Sequence, residues 1–251
     1  MFNQLPTPVI IAHRGASAHA PENTIAAFRL AVEQRADAIE LDAKLASDGH
    51  VVVIHDQTVD RTTTASGRVS QMTTYDLTKL DAGSHFDCIF KGEPIPTLEQ
   101  VFDLFGKHIY INVELTNYES RMDDLPEKVA QLVNDYHLHE RILFSSFNPI
   151  ALIRIRRLLP EVPIGLLAHS GHMGLWARSW LGRMMQYHSL NPEFQDVNRN
   201  LIETAHKHNR RVYVYTVNER KEMERLFALK ADGIFTDDPQ IARELLSKVR
   251  N

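Results

Sequence analysis

The sequence predicts an α/β chain folded as a closed (β/α)8 barrel that carries a small insertion after an early strand. Three observations lead there. Short apolar runs alternate with longer amphipathic ones from end to end, the pattern of parallel strands joined by helical crossovers. About eight such units fit the 251 residues, an ordinary length for one barrel. No GxGxxG or Walker stretch argues for an open doubly wound sheet instead.

The first strand is expected at residues 9–12 (VIIA). A helix over 24–35 follows, in which Ile25, Phe28 and Val32 recur at helical spacing and Asn23 is the expected N-cap. Strands are expected next at 38–44, where AIELDAK alternates, and at 51–55, where VVVI is continuously apolar. A helix over 97–105, a strand over 109–115 and a helix over 125–136 continue the alternation. Strands at 142–145 and 164–168 flank a helix at 149–159, and a further strand falls at 186–190. The last third reads helix 199–208, strand 211–217, helix 219–228, strand 233–236 and helix 239–248. Asp238 is the expected cap of the final helix, with Pro239 at its first position, where a missing N–H costs nothing. Residues 57–96 interrupt the rhythm. They are rich in Thr, Ser, Asp and Gly, with one short helix expected at 75–80, and read as a rim insertion within a single domain spanning 1–251. Tyr75, Phe86, Ile89 and Phe90 are expected to be buried in it.

The hydrophobic fraction of 43% and charged fraction of 24% are those of a soluble globular protein. A net charge of −4 without a basic run excludes a nucleic-acid footprint. Cys88 is the single cysteine, so no intrachain disulfide forms. The opening MFNQLPTPVI lacks a basic and then apolar leader, and no run approaches the roughly 20 apolar residues of a membrane span. A cytoplasmic protein without membrane insertion is expected.

In a barrel the working residues lie at the C-terminal strand ends. The first strand ends in His13-Arg14. The second places Glu40, Asp42 and Lys44 on one face by its period of two, and VVVIHD delivers His55-Asp56. YINVELT adds Glu114 on the face of Asn112. Carboxylates on an apolar strand are costly unless compensated. Oxygen ligands suit a hard divalent ion, Mg2+ or Ca2+, and Glu40, Asp42 and Glu114 supply the negative charge to hold one. A cation beside Arg14 makes a site for a phosphate oxyanion, and His13 and His55 are placed to exchange protons with its esterified oxygens. The alternative for Glu40 and Asp42 is simple ion pairing to Lys44 and Arg14. His169 and His172 have a His-x-x-His spacing but no carboxylate nearby in sequence, so no metal role is assigned to them. Trp176 and Trp180 read as a packing pair, RNLIETAHKHNRR as a solvated helix face, and Cys88 as unreactive.

AHRGASAHAPENT, IELDAKLASDGHVVVIHDQTVDRTT, GEPIPTLEQV, INVEL, SSFNP, VYVYTVN and DGIFTDDP follow one another as they do in bacterial glycerophosphodiester phosphodiesterases, and the chain resembles that family, its small cytosolic members in particular, over nearly its whole length. The resemblance implies a TIM barrel and a metal-dependent hydrolase that splits deacylated phospholipids into glycerol 3-phosphate and an alcohol. By position it implies catalytic roles for His13 and His55, metal ligation by Glu40, Asp42 and Glu114, and phosphate binding by Arg14. Two positions depart from the family pattern. The usual Glu-x-Lys reads Glu114-Leu115-Thr116, so its positive charge comes either from Lys44 or a loop residue, or is replaced by heavier reliance on the metal and Arg14. Tyr215 stands where many members carry Trp and is expected to wall the glycerol carbons. A lysophospholipase D-like hydrolase with Phe86, Ile89 and Phe90 lining an apolar groove, and a barrel that binds glycerophosphodiesters without turnover, are the alternative functions.

Overall fold

A period of two that never reverses direction around a closed ring is the organising feature of the backbone. The computed structural model describes residues 2–249. In chain order the elements are β1 (Val9–Ala12), α1 (Ile25–Glu33), β2 (Ala38–Leu45), β3 (Val51–Val53), α2 (Thr74–Leu77), α3 (Leu98–Phe105), β4 (Tyr110–Leu115) and α4 (Leu125–Asp135). They continue with β5 (Ile142–Ser146), α5 (Pro149–Leu158), β6 (Ile164–Ala168), α6 (Leu175–Arg178), α7 (Trp180–Arg183) and β7 (Ser189–Pro192). The chain closes with α8 (Arg199–Lys207), β8 (Arg211–Val214), α9 (Arg220–Ala228), β9 (Gly233–Thr236) and α10 (Pro239–Val249). Strands run β1-β2-β4-β5-β6-β7-β8-β9 and return to β1, every neighbour parallel, which closes an eight-stranded barrel.

The register sets what each level of the lumen contains. Facing pairs on β2 and β4 are Ala38 with Tyr110, Glu40 with Asn112, and Asp42 with Glu114. The lower lumen is apolar: Val9, Ile11, Ala38, Leu143, Tyr213 and Phe235 cluster there with Phe2, whose ring meets Tyr110 and Tyr213 edge-on at 5.8 and 6.1 Å. Toward the C-terminal ends of β2 and β4 the paired residues turn polar: Glu40 with Asn112 and Asp42 with Glu114. Outside the strands, helices bury one stripe each; Phe28, Val101, Phe102, Val129, Val133, Leu152 and Ile155 share one continuous core. Several helix starts carry side-chain caps. Thr97 and Gln100 form a reciprocal capping box on α3, and Asp238 accepts from the Ile241 N–H at 3.0 Å on α10.

Five sequence expectations change. Thr24, not Asn23, caps α1, accepting the Ala27 N–H at 3.2 Å; Asn23 adopts φ 58° and sends its amide into the barrel mouth. The strand expected at 51–55 ends at Val53 and runs antiparallel to β2 outside the barrel, because the short turn at 46–50 folds it straight back. The strand expected at 186–190 lies at Ser189–Pro192, where Ser189 and Asn191 hydrogen-bond to each other at 2.8 Å in the lumen. In the rim segment, Tyr75 and Ile89 are 66% and 78% exposed and Phe86 is also exposed. The segment is instead cored by Val59, Val69, Leu77, Ala82 and Ile95 packed on Val52 and Ile54. These compact aliphatic residues fill the space, while Phe86 and Phe90 pair edge-to-face outside it at 5.8 Å. Trp176 and Trp180 are likewise exposed rather than buried as a pair. Among the described residues no helix is long and apolar enough to cross a membrane.

Gly15 fixes the turn that carries His13 and Arg14. Its φ is +86°, and a Cβ there would lie 2.7 Å from Ala27 at the start of α1. Gly15→Ala is expected to destabilise the fold by about 1–3 kcal/mol, measured as a lower midpoint in urea unfolding with an unchanged m-value.

Candidate active site

Glu40, Asp42 and Glu114 meet in the upper lumen, each offering an oxygen within 4.8 Å of the others. This is the one such cluster of metal-ligating side chains among the described residues. Glu40 and Asp42 are almost fully buried. Burial, then the Asp42 charge, holds both glutamates above the ordinary carboxylate range, Glu114 at about 8. Glu40 Oε1 is buried without a hydrogen-bond partner. Three oxygen donors with like charge and an unsatisfied lone pair fit a divalent cation. Asn23 frames the cluster, donating Nδ2–H to Asp42 Oδ2 at 2.8 Å and accepting the Asp42 N–H at 3.2 Å. Tyr118 donates its hydroxyl to Glu114 Oε1 at 2.5 Å. The oxygens are thus aimed before any ion arrives.

Arg14 stands against this cluster at φ 57°. Its N–H donates to Glu40 Oε2 at 2.8 Å, its Nε lies 3.2 Å from Asp42 Oδ2, and its Nη1 donates to Glu22 Oε1 at 2.9 Å. Burial works against this charge, but Asp42, Glu22 and Glu40 together hold the guanidinium firmly protonated. Glu22 also accepts two bonds from Arg61, at 2.7 and 2.8 Å, and although burial opposes it, the two arginines hold its carboxyl at about 2. Arg61 in turn donates to both oxygens of Asp56, at 2.7 and 3.2 Å, which holds that carboxyl at about 2 as well. Asp56 Oδ1 meets His55 Nδ1 at 2.6 Å. His55 is delivered to the rim by the antiparallel return of β3, where the Ile54 N–H donates to the Asp42 carbonyl at 3.0 Å.

On the other side, His13 follows β1 and its Nδ1 lies 2.7 Å from Asp237 Oδ1, just past β9. Ser17 and Asn218 also donate to Asp237, at 3.0 and 2.6 Å. Burial opposes ionisation of Asp237, but the His13 contact keeps it below the usual range. Each imidazole therefore has a carboxylate at Nδ1, which favours the Nδ1–H tautomer and leaves Nε2 as the ring's acceptor.

Lys44 lies one step beyond Asp42. It is 6% exposed and donates from Nζ to the Thr116 carbonyl at 3.1 Å. Burial lowers its pKa. The simple ion pairing of Lys44 with Glu40 or Asp42 is not what forms, whereas Arg14 does engage both carboxylates. Across the mouth, Phe147 stacks on His169 at 4.0 Å and meets Tyr118 and Tyr215 edge-on at 5.9 and 5.8 Å. Tyr215 donates its hydroxyl to the Ala168 carbonyl at 2.8 Å, fixing its ring in that wall. His169 thus stacks rather than ligates. Sequence reasoning missed Glu22, Arg61, Tyr118, Phe147 and Asp237. Glu22, Arg61 and Asp237 stand in the recognisable stretches PENT, DRTT and TDDP, but their pairing spans 39 residues for Arg61 with Glu22 and 224 for His13 with Asp237.

A parallel barrel with an acidic cluster able to hold a metal ion, an arginine and two carboxylate-held histidines at its mouth has the build of a phosphodiesterase barrel. The model of the glycerophosphoryl diester phosphodiesterase family matches residues 13–241, and the chain belongs to that family. A glycerophosphodiester phosphodiesterase of Caldanaerobacter subterraneus subsp. tengcongensis is 41% identical over 96% of this chain and 98% of its own length. One from Bacillus subtilis is 32% identical over 92% of this chain and 84% of its own. Among solved structures, an Oleispira antarctica phosphodiesterase in complex with the product sn-glycerol-3-phosphate superposes with a TM-score of 0.87 at 28% identity, covering 96% of this chain and 97% of that one. A glycerophosphodiester phosphodiesterase of Agrobacterium tumefaciens gives 0.82 at 29% identity, covering 94% and 99%.

The buried carboxylates yield a stability prediction. An acid whose folded pKa lies above its unfolded value costs stability as pH rises between the two. Between about pH 4.5 and about pH 8 the metal-free protein should therefore lose thermal stability through Glu114. Glu114→Gln is expected to raise the metal-free Tm at pH 8, by about 2–4 °C for each kcal/mol relieved, and to shrink the Tm gain on adding a divalent cation. Thermal melts with and without chelator, at pH 6 and pH 8, check both.

Proposed function

We propose that this chain hydrolyses glycerophosphodiesters, the deacylated phospholipids, to glycerol 3-phosphate and an alcohol, by proton exchange through His13 and His55. The observation that carries this reading is the pair of imidazoles, each held at Nδ1 by its own carboxylate on either side of the acidic cluster and Arg14. Membership of the family and the relatives' activity support it.

Glu40, Asp42 and Glu114 would hold Mg2+ or Ca2+, which when bound supplies Lewis-acid stabilisation of the phosphate's non-bridging oxygens. Arg14, kept protonated by its three carboxylates, binds the same phosphate. One histidine takes the proton of the glycerol 2-hydroxyl through Nε2 as that oxygen bonds to phosphorus. The other protonates the departing alcohol oxygen as its bond to phosphorus breaks, leaving a cyclic phosphate. Water then opens the ring with the two roles reversed. Lys44 supplies the positive charge that Thr116 lacks, since its ammonium keeps two donors beyond its bond to the Thr116 carbonyl. Tyr215 and Phe147 wall the glycerol carbons. The chain acts as one barrel domain with residues 57–96 as its rim insertion, and the lone Cys88 suits a reducing cytoplasm.

The exposure of Phe86 and Ile89 on the rim favours a second reading, a lysophospholipase D-like activity on lipids that retain one acyl chain. Turnover of glycerophosphocholine against lysophosphatidylcholine separates the two.

In a coupled assay for glycerol 3-phosphate, His13→Ala and His55→Ala should each lower kcat by about 10²–10⁴-fold; near-wild-type turnover in both removes the assignment. Chelator should abolish turnover, and Mg2+ or Ca2+ should restore it. Activity indifferent to chelator would dismiss the acidic cluster as a working metal site.

A further inference from the structure

Arg61 comes from the rim segment, and its charge is bound on two sides at once. Nε and Nη2 donate to Asp56 at 2.7 and 3.2 Å, while Nη1 and Nη2 donate to Glu22 at 2.7 and 2.8 Å. The planar fork of a guanidinium is the one side chain that matches two carboxylates in this way. Each of these carboxylates has a second task. Glu22 holds Nη1 of Arg14, and Asp56 holds Nδ1 of His55. The result is a line of alternating charge, Asp42, Arg14, Glu22, Arg61, Asp56, that ends on the imidazole of His55.

We infer that Arg61 is a positioning residue for turnover: one guanidinium sets the phosphate-binding Arg14 and the proton-exchanging His55 at a fixed mutual distance. The inference rests on the roles given above to His55 and Arg14. Surface ion pairs ordinarily contribute little, but networks of well-aligned arginine–carboxylate contacts are the exception. Removing Arg61 leaves Glu22 and Asp56 facing each other with like charge. Both are then free to swing, Glu22 away from Arg14 and Asp56 away from His55. The carboxylate cluster keeps its supports in Asn23, Tyr118 and the Arg14 backbone N–H, none of which touches Arg61. The effect therefore falls on alignment in the reacting complex. An ångström of misplacement at a proton-transfer group is worth about 10²-fold in rate.

The test is steady-state hydrolysis of glycerophosphocholine by wild type, Arg61→Ala and Arg61→Lys, with and without guanidinium chloride at low millimolar concentration. Thermal melts and divalent-cation titrations accompany each variant. The Arg61 side chain is 48% exposed, so a free guanidinium ion can enter the gap that alanine leaves. Expected for Arg61→Ala is a kcat lower by about 10–100-fold, KM within about threefold, an unchanged cation affinity, and partial recovery of kcat with guanidinium but not with ammonium chloride. Arg61→Lys should stay well below wild type, because a single ammonium cannot bridge both carboxylates. A kcat for Arg61→Ala within twofold of wild type overturns the inference. So does a loss that tracks a lowered Tm in both variants and that guanidinium leaves unrecovered. Wild-type protein without glycerophosphodiester turnover, tested over several head groups and cations, overturns the functional reading itself.

Discussion

Three carboxylates facing one another across a few ångströms in a half-closed lumen impose the requirement that shapes everything around them. Left alone, such a cluster would protonate or push the strands apart. The barrel counters this in layers. Parallel register on β2 and β4 holds Asp42 opposite Glu114, an apolar plug below keeps the polar layer at the mouth, and Asn23, Tyr118 and the Arg14 backbone N–H each satisfy one carboxylate oxygen. Glu40 Oε1 remains buried without a partner, so the scaffold leaves part of the cluster's repulsion uncompensated.

The two imidazoles are held by a common device with different reach. His13 is fixed by Asp237 across the seam where the first and last strands pair, within a small set of donors from Ser17 and Asn218. His55 is fixed by its own neighbour, Asp56, which is anchored through Arg61 and Glu22. The first support is part of the barrel wall. The second belongs to the rim segment. One imidazole is therefore braced beside the β1–β9 seam, and the other depends on a polar network that is partly open to solvent.

Most of this was legible in the sequence because strand periodicity speaks directly about faces. Glu40 and Asp42 share a side of AIELDAK because residues two apart do, and Glu114 joins them because the strand ends of a barrel converge. The direction of β3 could not, because a run of valines reads the same parallel or antiparallel, and only the turn at 46–50 decides. β7 was misplaced because its lumen-facing Ser189 and Asn191 look like loop residues until their mutual hydrogen bond is known. Asn23 looked like a cap because its chemistry suits one; the metal cluster claimed its amide, and Thr24 took the cap. The rim aromatics were expected inside on hydrophobicity alone, yet compact Val, Leu, Ile and Ala side chains filled that small core first. Asp237, Glu22 and Arg61 carried motif signals but no local partner. Pairing over such separations is a property of closure, which sequence spacing does not encode.

The seam between β1 and β9 has a consequence during synthesis. His13 and Asp237 lie 224 residues apart, so the strands between them are made before the two can meet. Until the last strand slots in beside the first, the early imidazole lacks its carboxylate partner and the ring of strands has a gap. The His13–Asp237 contact is thus a late product of folding, formed when β9 pairs with β1 and the barrel shuts.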